Sequence, residues 1–160
     1  MSIPVFPLVS EVMTNKVFAV GPDTSLETAA RLLAQKRVSG APVVDDGGEV
    51  IGVVSASDIV DPDRERGGEL GNAHYYSLES GYADEFGDPS VRREGTVREV
   101  MTPTVLSIGP SDSIVEAGRM MVSKGVHRLL VVDEQLMLAG IISVTDIVRG
   151  FVQAPGLEPS

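Results

Sequence analysis

Two short segments, residues 52–58 and 140–146, carry side chains suited to binding or catalysis. Each begins with a glycine, followed by a serine three positions later and an aspartate three positions after that. A glycine lets a ligand approach a strand backbone, and a hydroxyl at a helix N-terminus lies among amides that favour anions. A carboxylate one turn into the helix can accept hydrogen bonds from both hydroxyls of a ribose. The pattern is therefore compatible with nucleotide binding.

The pairs Ser55 with Asp58 and Ser143 with Asp146 also have a structural interpretation. A serine followed three residues later by an acid is a pattern with which a helix caps its free backbone amides. One residue can do both jobs, so the spacing alone leaves both interpretations open.

The segments that precede these motifs, here called the strand starts, differ in charge. Residues 38–42 read Val-Ser-Gly-Ala-Pro, whereas residues 126–130 read Val-His-Arg-Leu-Leu. His127 and Arg128, with Lys124 nearby, bring cations to the second strand start, and arginine offers a forked donor that suits phosphate. The alternative is that these side chains pair with surface acids.

Both segments belong to an internal repeat. When the sequence is shifted by 88 positions, residues 11–60 superpose on residues 99–148 without a gap, and 20 of the 50 positions are identical. A unit of about 50 residues is small for a core of its own, so we expect the copies to pack face to face about a pseudo-twofold axis. The recurring motifs are Glu-Val-Met-Thr (11–14, 99–102), Gly-Pro (21–22, 109–110) and Val-Val-Asp (43–45, 131–133).

Each copy predicts the order strand, helix, strand, strand, helix, which is an α/β fold. In the first copy an apolar stretch at 17–20 precedes a helix, residues 41–45 and 50–54 predict a hairpin, and a second helix begins near Ser55. The continuous apolar runs predict strands covered on both faces, with helices outside. Capping boxes are predicted for the first helix of each copy, from Thr24 with Glu27 and from Ser113 with Glu116.

The predicted organisation has four parts: residues 1–60 (first repeat with its N-terminal segment), 61–95 (an insertion), 96–152 (second repeat) and 153–160 (a tail). The insertion holds nine acids and four arginines, and also Tyr75, Tyr76, Tyr82 and Phe86. One interpretation is a mobile acidic linker with anchoring aromatics. The other makes the aromatics a lid or a partner-docking surface.

The composition of the 160 residues excludes several classes of site. There is no cysteine, which rules out disulfides and thiol chemistry, and the two histidines cannot form a histidine-rich metal site. The net charge of −10 opposes binding to nucleic acids and to anionic membranes. With no Walker glycine loop and no nucleophile beside a base, we expect neither an enzyme nor a metal site, and we expect a cytoplasmic protein.

The doubled set of Val-Met-Thr, Gly-Pro, Val-Val-Asp and Gly-x-x-Ser-x-x-Asp-Ile resembles a tandem pair of cystathionine-β-synthase (CBS) domains over about residues 8–60 and 96–152. The resemblance implies two sheets packed together, with two clefts that bind adenosine-containing ligands such as AMP, ADP, ATP, NAD or S-adenosylmethionine. Binding then acts on an attached or partner protein.

The resemblance also implies roles for residues. Asp58 and Asp146 would hold ribose, and Ser55 and Ser143 would touch ribose or phosphate. Clefts of this family combine the acid of one repeat with the strand start of the other. The first cleft would set Asp58 against Val126, His127 and Arg128, and the second would set Asp146 against Val38, Ser39, Ala41 and Pro42. The implied binding set is completed by Thr14, Thr102 and Thr145.

Two functions remain open from the sequence. The first is a stand-alone regulatory module in which an adenine nucleotide, with no other cofactor required, shifts a homodimer or a complex with an effector protein. The phosphate-suited strand start at 126–130 favours AMP, ADP or ATP, with NAD or S-adenosylmethionine as alternatives. The second is a dimerising or docking scaffold without a ligand. We expect Asp58→Ala to weaken nucleotide binding and to leave the fold largely intact.

Overall fold

The computed structural model describes residues 5–60, 76 and 94–153. Their contacts form two compact units. One, here called the Ser55 unit, is Phe18–Val105; the other, the Ser143 unit, combines Met1–Val17 with Leu106–Ser160. The aromatics of the insertion lie outside the described residues except for Tyr76, which is buried in the Ser55 unit.

The Ser55 unit has the predicted order from its helix onward, but the predicted strand at 17–20 is wrong, because only Val20 pairs there, in a single bridge with Val43. It contains helix α2 (Leu26–Lys36), strands β1 (Gly40–Val44) and β2 (Val50–Ser55), and the short helices α3 (Ala56–Val60) and α4 (Val97–Val100). The strands β1 and β2 are antiparallel, with Gly40 opposite Ser55. Val20 pairs with Val43 and Thr102 pairs with Val53, which adds one residue to each side of this sheet.

The Ser143 unit repeats this arrangement. It contains the short helix α1 (Val9–Val12), strand β3 (Ser107–Ile108), helix α5 (Ile114–Lys124), strands β4 (Arg128–Val132) and β5 (Leu138–Ser143), and helix α6 (Val144–Gln153). The sheet order is β3-β4-β5, and Thr14 pairs with Ile141 beyond β5. Both units therefore have the same sheet order, with a Val-Met-Thr threonine at one edge.

The Val-Met-Thr segments are exchanged between the repeats. Thr14, at the start of the first repeat, donates its backbone N–H to the Ile141 carbonyl (2.9 Å) and accepts from the Ile141 N–H (3.0 Å). Thr102 makes the same pair of bonds with Val53, both at 2.9 Å. Each unit thus combines one repeat with the leading segment of the other, and the units do not follow the boundaries of the sequence repeats.

The hydrophobic core of the Ser55 unit lies on one face of its sheet. Ala41, Val43 and Val54 point to this face and pack with buried residues of α2 and α3. Side chains alternate along a strand, so Pro42, Val53 and Ser55 point to the opposite face. That second face carries the polar residues of the candidate site.

Helices α2 and α5, which occupy equivalent positions in the two repeats, each begin at a serine. The serine half of the predicted capping box is present at α5, where Ser113 is the N-cap and its Oγ accepts from the backbone N–H of Val115 (3.0 Å) and of Glu116 (3.4 Å). The prediction of Thr24 with Glu27 for α2 is wrong, because the N-cap is Ser25, whose Oγ accepts from the Thr28 N–H at 3.1 Å. The alignment of the repeats pairs Ser25 with Ser113, so it could have indicated Ser25 as the N-cap of α2.

Candidate functional site

The motif of Ser55 and Asp58 forms a reciprocal cap at the start of α3. The backbone N–H and the hydroxyl of Ser55 donate to Asp58 Oδ2, at 2.8 and 3.2 Å. The Asp58 N–H donates back to Ser55 Oγ at 3.4 Å. Both residues are 0% exposed. The capping interpretation of this motif is therefore correct. Because buried Asp58 also accepts the amide and hydroxyl of Ser55, the expectation that Asp58→Ala leaves the fold largely intact is replaced by an expected loss of stability.

The motif of Ser143 and Asp146 forms the same cap at the start of α6. The N–H and hydroxyl of Ser143 donate to Asp146 Oδ2 at 2.9 and 3.0 Å, and the Asp146 N–H donates to Ser143 Oγ at 3.2 Å. Arg149 adds a bond that sequence reasoning missed, from Nη1 to Asp146 Oδ1 at 3.1 Å. Asp146 and Arg149 are three residues apart on a predicted helix, and this spacing could have indicated the bond from the sequence.

Each strand start lies directly beside the motif of its own repeat. The Ala56 N–H donates to the Ser39 carbonyl at 2.7 Å, and the Val144 N–H donates to the His127 carbonyl at 2.9 Å. Arg128 lies opposite Ser143 in the strand register. A common backbone frame therefore positions the strand start and the acid in both units.

The strand starts of the two repeats differ in exposure. Ser39 is 2% exposed, and Ala41 and Pro42 beside it are buried. His127 is exposed and Arg128 is half-buried. The side chains that distinguish the second strand start are thus accessible from water, whereas those of the first are closed in.

A pocket of about 390 Å³ lies between α5 and α6 in the Ser143 unit. Its lining includes Val126, His127 and Val144, together with Met121 and Ile147. These walls are apolar except for the imidazole. Such a pocket suits a flat, largely apolar ring better than an isolated charge.

The threonines of the two Val-Met-Thr segments differ most clearly. Thr14 is exposed, whereas Thr102 is 1% exposed. Among the described residues no group forms a hydrogen bond with Thr102 Oγ1. A buried hydroxyl without a partner costs about 1–3 kcal/mol, so this atom requires an explanation.

The glycines of the two segments have a structural role. A Cβ at Gly52 would lie 2.7 Å from the Thr102 carbonyl oxygen, and one at Gly140 would lie 2.6 Å from that of Thr14. The group that approaches each strand backbone is therefore the exchanged segment of the protein itself. The approach of a ligand to these glycines stays a prediction.

The sequence matches the family model "CBS domain" twice, over residues 9–63 and 97–153. The chain belongs to the CBS domain family. The α/β fold class of a CBS pair, predicted from the repeats, is confirmed by this match and by the similarity to solved CBS-pair structures. The sequence resemblance was thus correct at the level of the family.

Relatives of this CBS pair include CBSX2, a chloroplastic CBS domain-containing protein of Arabidopsis thaliana, which is 30% identical over 151 residues. A crystal structure of CBSX2 in complex with AMP has a TM-score of 0.63 and 29% identity, and the match covers 91% of this chain and 96% of that one. Human 5'-AMP-activated protein kinase subunit gamma-3 is 30% identical over 128 residues, which are 80% of this chain and 23% of the subunit.

The chain spans only part of several curated relatives. The match to CBSX2 includes 91% of this chain but only 63% of CBSX2. The matches to two uncharacterized Methanocaldococcus jannaschii proteins, MJ1232 and MJ0188, include 38% and 44% of those proteins. The shared part is the CBS pair itself.

The predicted site residues fall into two groups, one in the Ser55 unit and one in the Ser143 unit. Within each group, the acid, the strand start and the Val-Met-Thr threonine lie in the same unit. The predicted clefts would pair Asp58 with residues 126–128 and Asp146 with residues 38–42. Each of these pairs joins residues of different units, and it stays a prediction. The Ser55 unit contains Val38, Ser39, Ala41, Pro42, Ser55, Asp58 and Thr102, and the Ser143 unit contains Thr14, Val126, His127, Arg128, Ser143, Thr145 and Asp146.

Neither a metal-binding cluster nor a membrane span is found in the described residues. No group of three or more His, Cys, Asp or Glu side chains in residues 5–60, 76 and 94–153 is arranged to hold a metal ion. Within the same ranges, no helix combines the length and the apolar character needed to cross a bilayer.

Proposed function

We propose that this CBS pair is a regulatory module that binds an adenosine-containing ligand, with AMP, ADP or ATP favoured over NAD and S-adenosylmethionine. The observation that carries the proposal is the shared frame of both units, in which a capped acid and a strand start are held side by side. The relationship to CBSX2, solved in complex with AMP, supports the same class of ligand.

The proposed role of Asp58 and Asp146 is to bind the ribose hydroxyls. An ionised carboxylate has about four acceptor positions on its two oxygens. In Asp146 the cap engages Oδ2, so the diol is expected to use Oδ1. In Asp146 this oxygen also accepts from Arg149, which orients it. The cap and the ribose contact are thus compatible on one side chain.

The proposed role of His127 and Arg128 is to bind phosphate. Arg128 lies opposite Ser143, so a guanidinium and a hydroxyl share one end of the β4–β5 hairpin. The corresponding residues of the first repeat are Ser39 and Gly40, which offer no cation. Phosphorylated ligands are therefore expected to depend on the 126–130 strand start.

The proposed regulatory output is a change in assembly. A ligand shifts an equilibrium only when it binds one arrangement more tightly than the other. The expected responder is a homodimer or an effector protein rather than a reaction catalysed by this chain, and a cytoplasmic location stays a prediction.

The test is calorimetric titration of the full chain with AMP, ADP, ATP, NAD and S-adenosylmethionine, with adenosine as the phosphate-free probe and GMP as the base control. A ligand at 100 times its Kd adds about 2.7 kcal/mol to the free energy of unfolding, which thermal melting measures independently. Arg128→Ala is expected to weaken the binding of AMP more than the binding of adenosine. Failure of all the adenosine compounds to bind contradicts the proposal, and equal losses for AMP and adenosine contradict the role of Arg128.

An apolar helix surface favours the second candidate function, a dimerising scaffold without a ligand. Val122, Val148 and Val152 of α5 and α6 are 85%, 55% and 71% exposed. Exposed apolar side chains grouped in this way are typical of interaction sites. Glu116 and Arg119, both exposed on α5, give this surface opposite charges one turn apart, which a second copy can match in a twofold arrangement.

The scaffold is tested by light scattering over a range of protein concentrations, with Val122→Asp as the variant. A charge at the centre of a homodimer surface is expected to convert dimer to monomer. Lys16→Asp, on an exposed residue outside α5 and α6, is the control. A monomeric wild type rejects the homodimer.

A further inference from the structure

The methionines of the two Val-Met-Thr segments pack these segments against the strands that they pair with. A Cβ at Gly52 would lie 3.0 Å from Met101 Sδ, and a Cβ at Gly140 would lie 2.8 Å from Met13 Sδ. Each thioether therefore fills the space that a side chain would take at the glycine. These two contacts, Met101 on Gly52 and Met13 on Gly140, are here called the methionine contacts.

Each methionine lies between a helix end and a short stretch of strand pairing. The Met13 N–H donates to the Val9 carbonyl at 3.0 Å, and the Met101 N–H donates to the Val97 carbonyl at 2.9 Å. The threonine that follows each methionine forms an isolated bridge with its strand, through two backbone bonds. So short a pairing depends on the packing of the neighbouring methionine.

Both methionines are open to a small oxidant. Met13 and Met101 are half-buried, and Met101 packs against the hydrophobic core of the Ser55 unit. The chain contains no cysteine, so its methionine thioethers are its only oxidisable sulfur groups. Susceptibility to oxidation follows exposure, and hydrogen peroxide is close to water in size. Peroxide that enters the surface layer therefore meets these sulfur atoms.

We propose that Met13 and Met101 are modification sites, at which oxidation to methionine sulfoxide by hydrogen peroxide releases the exchanged segments. The sulfur lone pair attacks one peroxide oxygen, so that an S–O bond forms and the O–O bond breaks. The leaving hydroxide takes the proton of the transferred oxygen and departs as water. The thioether is thus oxidised and the peroxide is reduced, and methionine sulfoxide reductases reverse the modification.

A sulfoxide is unfavourable at the methionine contacts for two reasons. The added oxygen enlarges a group that already fills the space over its glycine. The S=O group is also polar, and it loses its water when it packs against apolar side chains. The inference goes beyond the proposed function and requires no nucleotide, so failure of nucleotide binding leaves it standing.

The experiment follows oxidation by peptide mass spectrometry and release of the segments by amide hydrogen exchange, in the full chain without ligand. The test variant, Met13→Leu with Met101→Leu, keeps apolar side chains of similar size and removes both sulfur atoms. The matched control is Met120→Leu with Met137→Leu. These methionines are also half-buried, and they lie outside the exchanged segments.

Peroxide is expected to open the strand pairing of the segments in wild type and in the control variant. Exchange at the amides of Thr14, Ile141, Val53 and Thr102 is expected to rise by about tenfold or more. The melting temperature is expected to fall by roughly 5 °C. In the test variant, both quantities are expected to stay the same before and after peroxide treatment.

Three outcomes overturn the inference. The first is a wild type that keeps its slow exchange when Met13 and Met101 are both oxidised. The second is a test variant that loses protection as wild type does, or a control variant that no longer responds, because either result assigns the effect to other methionines. The third is resistance of Met13 and Met101 to peroxide that oxidises Met120 and Met137, which contradicts their accessibility.

Discussion

The Ser55 unit and the Ser143 unit share one backbone design but differ in how far their motifs are closed off from water. Ser55, Asp58 and Thr102 are each at most 1% exposed. In the Ser143 unit, Ser143 is half-buried and Thr14 is exposed. The hydrogen bonds of the two caps have nearly the same lengths. Duplication therefore preserved the frame, and the two copies diverged in the side chains and in access to them.

This difference distinguishes two roles of the same motif, helix capping and ligand binding. The cap requires a serine and an acid at fixed spacing in both units, since it satisfies buried amides in each. Phosphate binding requires access and charge, which the 126–130 strand start has and the 38–42 strand start lacks. We expect the Ser143 unit to determine the response to phosphate, and the Ser55 unit to depend on buried polar groups.

The largest expected effect concerns the frame that the units share. Gly52→Ala and Gly140→Ala each set a Cβ within 2.7 Å of the carbonyl oxygen of an exchanged segment. Overpacking against backbone is expected to lower the free energy of unfolding by about 2–3 kcal/mol in both variants. Urea denaturation measures the change. Gly21→Ala, where the nearest atom is 3.6 Å away, is the control. A loss in one unit alone would show that the exchanged segments are held differently.

Next in size is the removal of each acid, which tests the difference in burial. Asp58→Ala leaves the buried amide and hydroxyl of Ser55 without their acceptor, at a cost of about 2–3 kcal/mol. Asp146→Ala is expected to cost about 1 kcal/mol less, because Ser143 is half-buried and water can replace the acceptor. Asn at either position keeps an acceptor and is the matched control. Equal losses from Asp58→Ala and Asp146→Ala, measured by urea denaturation, contradict the difference.

A smaller effect is expected at the hairpin turns. Asp45 and Asp133 build equivalent turns, with Oδ1 of each accepting two backbone N–H bonds of 2.9–3.0 Å. The turn of the first repeat has Gly48 at φ 91°, whereas the second has Leu136 at φ 65°. Leu136→Gly is expected to stabilise by about 1 kcal/mol, since the left-handed region penalises a side chain.

The reciprocal variant, Gly48→Leu, is the comparison for this turn. It is expected to destabilise by a similar amount, and the melting temperatures of both variants check the pair. If Leu136→Gly lowers the melting temperature, contacts of the exposed leucine outweigh its backbone strain.

The smallest effect is expected for the ion pair of Arg149 with Asp146. The first repeat has Asp61 at the position of Arg149, so it cannot form this pair. The Arg149 side chain is 54% exposed, so Arg149→Ala is expected to lower the free energy of unfolding by at most about 1 kcal/mol. The difference from wild type should shrink as salt is raised, because an exposed ion pair is screened. Chemical denaturation at low and high salt measures it, and a loss that is independent of salt would indicate packing instead of charge.

The duplication, the order helix, strand, strand, helix in each copy, the family and the Ser-x-x-Asp caps could all be predicted from the amino-acid sequence. These follow from spacing along the chain, because turn chemistry, helix periodicity and capping act between residues a few positions apart. Gly52 shows the limit of this information. Its type indicated a close approach, but the approaching group is the Thr102 carbonyl, 50 positions away.

Three features became visible only in the folded chain: the exchange of the Val-Met-Thr segments, the burial of Thr102 beside the exposure of Thr14, and the more complete enclosure of Asp58 than of Asp146. Two identical motifs carry the same local information, so nothing in their own residues distinguishes a buried copy from an open one. Burial depends on what long-range pairing brings over each motif.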